Sequence, residues 1–210
     1  MELVDLVDSK SSAFGRVGSN PTCGTTIYSQ NKKKTFKMKL VVVITGASGV
    51  SLGKQFIKYL PKNIETHIVI SSNALTVEEF ENKNITLHNN QNIASSISSG
   101  SFGVDITVVI PCSMNTLAKV ACGISDNLSS RVCAVAIKEQ KKLLLAPREL
   151  PFSPIALENM LKLSRLGVII APPVMGYYSD CNCLEDMERF IIGKWYDVLG
   201  IENSLYKRWK

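Results

Sequence analysis

From Met38 onward the chain alternates short β-branched runs with longer stretches in which apolar residues recur at helical spacing. Lys39 to Thr45 (KLVVVIT) is a continuous apolar run of strand length, as expected of a parallel strand covered on both faces. Gly46-Ala47-Ser48-Gly49 supplies a turn, and Val50 to Leu60 predicts a helix that stops before Pro61. Glu65 to Ser71 predicts a second strand and Thr76 to Asn82 a helix. Asn84 to Gly103 reads as a polar connection with a short helix over Asn92 to Ser98. Val104 to Ile110 is a strong third strand. Helices follow over Ser113 to Cys122, closed by Gly123, and over Asp126 to Ile137. Lys142 to Ala146 and Gly167 to Ala171 predict two more strands, separated by a helix from Ser153, its cap, to Arg165; Leu184 to Leu199 is a final amphipathic helix.

Strand and helix alternating over about five units predict an α/β fold: a three-layer, doubly wound parallel sheet joined by right-handed crossovers. Such sheets bind ligands beyond the carboxyl ends of their strands, so the residues that follow each strand carry most of the functional weight.

Composition narrows the class. A chain of 210 residues with 45% hydrophobic and 20% charged residues is globular, and none of its apolar runs is long enough to span a bilayer. The net charge of +6 divides in two. Residues 1 to 37 hold six basic and three acidic residues and little apolar periodicity, so half of the excess sits in an expected disordered tail. Gly18-Ser19-Asn20-Pro21 matches what the T-arm of a transfer RNA gene encodes in one frame. Together with Met38 opening directly onto a strand, this sets the expectation of a start assigned too far upstream, with the functional domain at 38–210. The remaining +3 is ordinary, and neither a nucleic acid nor a membrane is expected as partner. Six cysteines without a CxxC pair fit a reduced, cytoplasmic setting. The two histidines, His67 and His88, lie in or beside strand-like stretches, and no zinc site is expected.

Candidate chemistry lies at the predicted strand ends. Gly46-Ala47-Ser48-Gly49 lets backbone approach a phosphate at a helix N-terminus; the alternative is a tight turn without a ligand. The spacing is not GxGxxG, and Lys54 lies too far on for a P-loop. Ser113, in Pro111-Cys112-Ser113-Met114-Asn115-Thr116, serves equally as helix cap or ligand contact, and Cys112 reads as a buried small residue rather than a nucleophile. Arg148 and Glu149 put a guanidinium and a carboxylate beyond another strand, either as a solvated ion pair or as phosphate ligand and proton donor. Pro172 to Tyr178 is a proline-fixed loop ending in two tyrosines. Arg131 and Lys138, seven apart, share a helix face.

TGASG, IETHIVIS, IASSISSGS, PCSMNTLAKVACGISDNLSSR, IKEQKKLLLAPRELPFS and GVIIAPPVMGYY, in this order, resemble the UbiX family of flavin prenyltransferases. The resemblance covers nearly all of residues 38–210, and residues 1–37 have no counterpart in it. It implies a flavodoxin-like or Rossmann-like flavoprotein subunit that assembles into a homododecamer with active sites at subunit contacts. The implied reaction joins a dimethylallyl group from dimethylallyl monophosphate to N5 and C6 of reduced FMN without a metal. The product, prenylated FMN, is released as cofactor for UbiD-type decarboxylases, including one in ubiquinone biosynthesis.

Carried over residue by residue, the resemblance assigns FMN contacts to Gly46, Ala47, Ser48, Ser71, Ser113, Met114, Asn115, Thr116 and Arg148. Ser48 also lies near the donor phosphate, which Arg131, Lys138, Lys194 and Tyr178 bind. By the same resemblance Glu149 would be the proton-managing acid, Glu81 a second active-site carboxylate and Trp209 a C-terminal aromatic. A cluster of cations would stabilise the departing phosphate, and π faces the allylic cation. Val50-Ser51-Leu52-Gly53 lacks an aromatic often found there, Tyr177 replaces a Phe, Asn115 brings no charge, and Pro173 and Met175 also differ. A related flavin-dependent cysteine decarboxylase is a second reading, but its catalytic helix histidine has no match. A non-catalytic flavin-binding subunit is a third, and the presence of Lys138, Glu149 and Tyr178 argues against it.

Overall fold

In the computed structural model, residues 38–71, 84–177 and 181–208 are described. The tail, 1–37, and the helix predicted over Thr76 to Asn82 lie outside them. Six parallel strands form one sheet in the order β3-β2-β1-β4-β5-β6. They are β1 (Lys39–Ile44), β2 (Glu65–Ile70), β3 (Ile85–Asn89), β4 (Ile106–Cys112), β5 (Lys142–Pro147) and β6 (Ile169–Ile170). The helices are α1 (Val50–Lys58), α2 (Met114–Ala121), α3 (Leu128–Lys138), α4 (Pro154–Arg165) and α5 (Leu184–Leu199). The doubly wound α/β class is as expected.

The central strands are apolar throughout because both faces are covered. Leu40, Val42 and Ile44 of β1 pack with Phe56 and Ile57 of α1 and with Phe190, Ile192, Trp195 and Tyr196 of α5. Val41 and Val43 face the other way, into a cluster with Leu117 of α2, Leu128 and Val132 of α3 and Leu163 of α4. Close approach has a steric condition at Gly53, where a Cβ would stand 2.5 Å from the Ile110 carbonyl oxygen. That contact brings α1 onto the end of β4.

Four expectations change. The polar connection contains β3, which pairs with β2 from Thr66↔Ile85 to Ile70↔Asn89. It is an edge strand with Thr86, Leu87 and Asn89 exposed, so it lacks the apolar run of a central strand. The helix expected over Asn92 to Ser98 is a 3-10 turn at Ser96–Ser98, followed by another at Gly100–Phe102. The last strand is also only two residues long. Caps follow the expected chemistry: the Ser153 side chain accepts from the Ala156 N–H with Pro154 in the first turn, and Gly200 closes α5 at φ +79°. The predicted start of α3 at Asp126 moves to Leu128, with Asn127 and Ser130 making a reciprocal cap. Among the described residues no helix is long and apolar enough to cross a membrane.

Candidate active site at the carboxyl edge of the sheet

Strand order reverses between β1 and β4, so the loops after these two strands diverge to opposite faces and leave a crevice. Gly46, Ala47 and Ser48 occupy the first loop, with Gly46 and Ser48 exposed. Gly49 then opens α1 at φ +101°, a left-handed conformation that favours glycine, and gives no side-chain cap. A Cβ on Gly46 would meet nothing within 4 Å. The first turn of α1 therefore keeps N–H donors without a cap, has no acidic residue, and lies open to an anion.

The loop after β4 is built differently. Ser113 caps α2: its Oγ accepts from the Thr116 N–H at 3.3 Å and pairs with Thr116 Oγ1 at 3.0 Å. The bland role of Ser113 is thus present, and its hydroxyl keeps further hydrogen-bonding capacity. Met114 is partly buried against the core, whereas Asn115 is exposed at the start of the helix. Cys112 is fully buried, and burial first, with the neighbouring Cys133 adding to it, raises its thiol far above the ordinary value. Burial likewise pushes the Cys133 thiol up to about 12. Neither is a nucleophile near neutrality.

Ser71 follows β2, its N–H donating to the Ile44 carbonyl at 2.9 Å, and its side chain is exposed. After β5, the Arg148 N–H donates to the Cys112 carbonyl at 3.2 Å, which ties this loop to the end of β4. The Arg148 and Glu149 side chains are both exposed. Glu149 Oε1 accepts from the Leu150 N–H at 3.2 Å. After β6, Gly176 lies so close to α5 that a Cβ would come within 2.5 Å of the Phe190 ring. The Trp195 indole N–H donates to the Ala171 carbonyl at 3.0 Å, fixing the base of this loop. Val174, Met175 and Tyr177 of this loop are exposed, as is Leu150 after β5.

Four strand ends, those of β1, β2, β4 and β5, therefore bring Gly46, Ala47, Ser48, Ser71, Ser113 to Thr116, Arg148 and Glu149 to one edge. Of the three remaining candidate cations, Lys138 and Lys194 are placed otherwise within a single chain. α3 starts at the carboxyl edge, where the Leu128 N–H bonds the Asn90 carbonyl, and runs down the sheet. Arg131 is exposed in its first turns, but Lys138 ends the helix about 10 Å further down, next to the start of β5, and pairs with Glu139. α5 runs the same way, and Lys194 is exposed on its lower half. Glu81, Tyr178 and Trp209 lie outside the described residues.

Two residues escaped the sequence reading. Trp195 looked like one more apolar position on the last helix, and Thr45 like the last residue of a strand. Only the pairing of strands shows what Thr45 touches: Pro111, on the strand beside it, and Ser113, the cap of α2 that follows. The histidines also meet. His67 Nδ1 lies 2.9 Å from His88 Nε2, His67 Nε2 lies 3.2 Å from Glu65, and Ser95 Oγ lies 2.7 Å from His88 Nδ1. These ring nitrogens bond one another rather than converge on a common point. Among the described residues no group of three or more His, Cys, Asp or Glu is arranged to hold a metal.

Comparison with known proteins decides the family. The model of the Flavoprotein family matches residues 28–199, beginning upstream of Met38. The flavin prenyltransferase UbiX of Helicobacter pylori is 48% identical over 184 residues, covering 82% of this chain and 98% of that protein. This chain belongs to the UbiX family of flavin prenyltransferases. Membership makes it an enzyme of the prenyltransferase class. Two solved structures carry the same fold. A dodecameric FMN-dependent UbiX-like decarboxylase from Escherichia coli aligns with TM-score 0.75 and 41% identity, over 82% of this chain and all of that one. AnUbiX (PadA1), in complex with FMN and dimethylallyl pyrophosphate, aligns with TM-score 0.76 and 36% identity, over 83% and 98%.

Proposed function

We propose that this UbiX family member transfers a dimethylallyl group from dimethylallyl monophosphate to N5 and C6 of reduced FMN. The observation that carries this reading is the uncapped N-terminus of α1, opened by Gly46–Gly49 at the switch point, on the same edge as Arg148 and Glu149. The donor set fits FMN: backbone N–H groups and Ser48 for its phosphate, Ser71, Ser113 and Asn115 for polar atoms of the ring, Arg148 for charge. Met114 and Thr116 hold the wall behind these contacts. Reduced FMN supplies the electron-rich atoms that take up the prenyl group.

The chain supplies the rest. Cleavage of an allylic C–O bond leaves a phosphate dianion, and guanidinium and ammonium donors meet that charge without a metal. We assign this role to Arg131, Lys138 and Lys194, with Tyr178. Lys138 and Lys194 sit away from the carboxyl edge of their own chain, so they serve a site completed by a neighbouring copy, in a homododecamer. Ile155, Leu157, Leu161 and Leu166 of the α4 region, all exposed, offer apolar surface for such contacts. Glu149 exchanges the proton at phosphate and flavin, Glu81 assists, and Trp209 and Tyr178 face the allylic cation.

We infer further that the protein works in the cytoplasm with reduced thiols, and that its released product, prenylated FMN, matures a UbiD-type decarboxylase of the ubiquinone-biosynthesis kind. Residues 1–37 would add nothing to this chemistry. The test is transfer: anaerobic reaction mixtures filtered free of this protein are added to an apo decarboxylase of UbiD type. Decarboxylation that depends on both FMN and dimethylallyl monophosphate is expected, with the pyrophosphate donor slower. No activation by either donor would refute the reading.

A further inference from the structure

The two loops of the candidate site leave neighbouring strands at a place where the sheet has stopped holding them in register. β1 and β4 pair regularly from Leu40↔Ile106 to Val43↔Val109. Beyond Val109 the register of β4 against β5 shifts, and Pro111 has no N–H to give to a ladder. A single side chain bridges this gap. Thr45, only 1% exposed, donates its hydroxyl to the Pro111 carbonyl at 2.8 Å, and its Oγ1 accepts from the Ser113 N–H at 2.9 Å. Its main chain takes part as well: the Thr45 N–H reaches the Pro111 carbonyl at 3.4 Å, and its own carbonyl accepts from the Ala47 N–H at 2.8 Å.

Every polar group of Thr45 is therefore engaged, on one side with the Gly46–Gly49 loop and on the other with the residue that caps α2. The hydroxyl has donated its only proton and points into the protein, which makes it a poor ligand contact but an effective link. Ala47 and Ser48 are set by one end of this link, and Ser113 and Asn115 by the other. We propose that Thr45 is a positioning residue, which fixes the distance between the phosphate-facing loop after β1 and the ring-facing loop after β4 so that both engage one FMN molecule. This inference rests on the FMN reading above and adds a residue that reading did not contain.

Thr45→Val keeps the shape and removes both side-chain hydrogen bonds, leaving the Ser113 N–H and part of the Pro111 carbonyl capacity unpaired. Thr45→Ser keeps both bonds and loses only a methyl group. The experiment is titration of each purified variant with FMN, followed by flavin fluorescence and visible absorbance, with thermal melting alongside. Thr45→Val is expected to raise the FMN dissociation constant about tenfold or more and to shift the bound flavin's spectrum toward that of free FMN, as loss of one buried link predicts. Thr45→Ser is expected to bind within about twofold of wild type.

A Thr45→Val protein that melts earlier yet binds FMN with wild-type affinity and spectrum would reduce Thr45 to a structural role and overturn the proposal, leaving the prenyltransferase reading intact. If Thr45→Val fails to fold, Thr45→Ser decides: loss of FMN binding there, with the hydroxyl present, would equally overturn it. Wild-type protein that does not bind FMN at all would overturn the functional reading and this inference together.

Discussion

The two ends of the parallel strands carry similar kinds of side chain and use them in opposite ways. At the amino edge the charges are spent on the fold. The Lys39 N–H and Lys141 Nζ both meet Asp105, at 3.0 and 3.6 Å. Lys39 Nζ donates to the Phe102 carbonyl at 2.9 Å and stands over the Phe102 ring, while Lys142 Nζ donates to the last-turn carbonyl of Leu199 at 2.8 Å. At the carboxyl edge, among the described residues, Arg148 makes no ion pair, and Glu149 accepts one backbone hydrogen bond. In a doubly wound sheet the crossover connections diverge at the carboxyl edge, and groups left unpaired there are available to a ligand. For Lys39, Asp105 and Lys142 at one edge and Arg148 and Glu149 at the other, role within the chain thus follows the edge occupied more than the residue type.

That contrast is open to mutation. The largest effect belongs to the carboxyl edge: Glu149→Gln should lower turnover by about a hundredfold or more, as removal of a general acid does, while melting and FMN affinity stay near wild type. Wild-type turnover would show that this carboxylate moves no proton. At the amino edge the outcome should reverse. Asp105→Ala removes the acceptor of the Lys39 backbone hydrogen bond and the ion-pair partner of Lys141 and should cost about 1–2 kcal/mol in urea unfolding, with kcat unchanged. A selective loss of kcat in that variant would erase the distinction between the edges.

A smaller effect concerns pH and the sheet's β2–β3 side. Burial lowers the pKa of both histidines from 6.5, with His67 adding to the effect on His88 and Lys39 to that on His67; the Glu65 carboxylate opposes it at His67. Below the unfolded value the unfolded chain takes up protons that the folded one resists, so stability falls as pH drops. A loss of stability between pH 7 and 5 is expected, with a flatter profile for His88→Asn. Equal slopes for both proteins would remove the histidines from the account.

Much of the fold was legible in the sequence, for a physical reason: central parallel strands are buried on both faces and announce themselves as apolar runs such as KLVVVIT. β3 (ITLHN) is an edge strand with exposed positions and no such signal, so it read as a polar connection. The loops of the site were legible because small residues and caps directly follow strong strands. Links that depend on strand pairing, Thr45 to Ser113 and His67 to His88, join residues 68 and 21 positions apart and have no local signature. The cations of the resemblance, Lys138 and Lys194, were placed by motif alone. The direction of α3 and α5 then sets them away from the edge they were expected to serve.

The most direct test of the account is the mass of the flavin after reaction. Reduced FMN, dimethylallyl monophosphate and this protein are combined anaerobically and the small molecules analysed by mass spectrometry. A flavin heavier by one five-carbon unit is expected, formed by wild type and nearly absent with Glu149→Gln. Unmodified FMN as the sole flavin, recovered from protein that has bound it, would contradict the account.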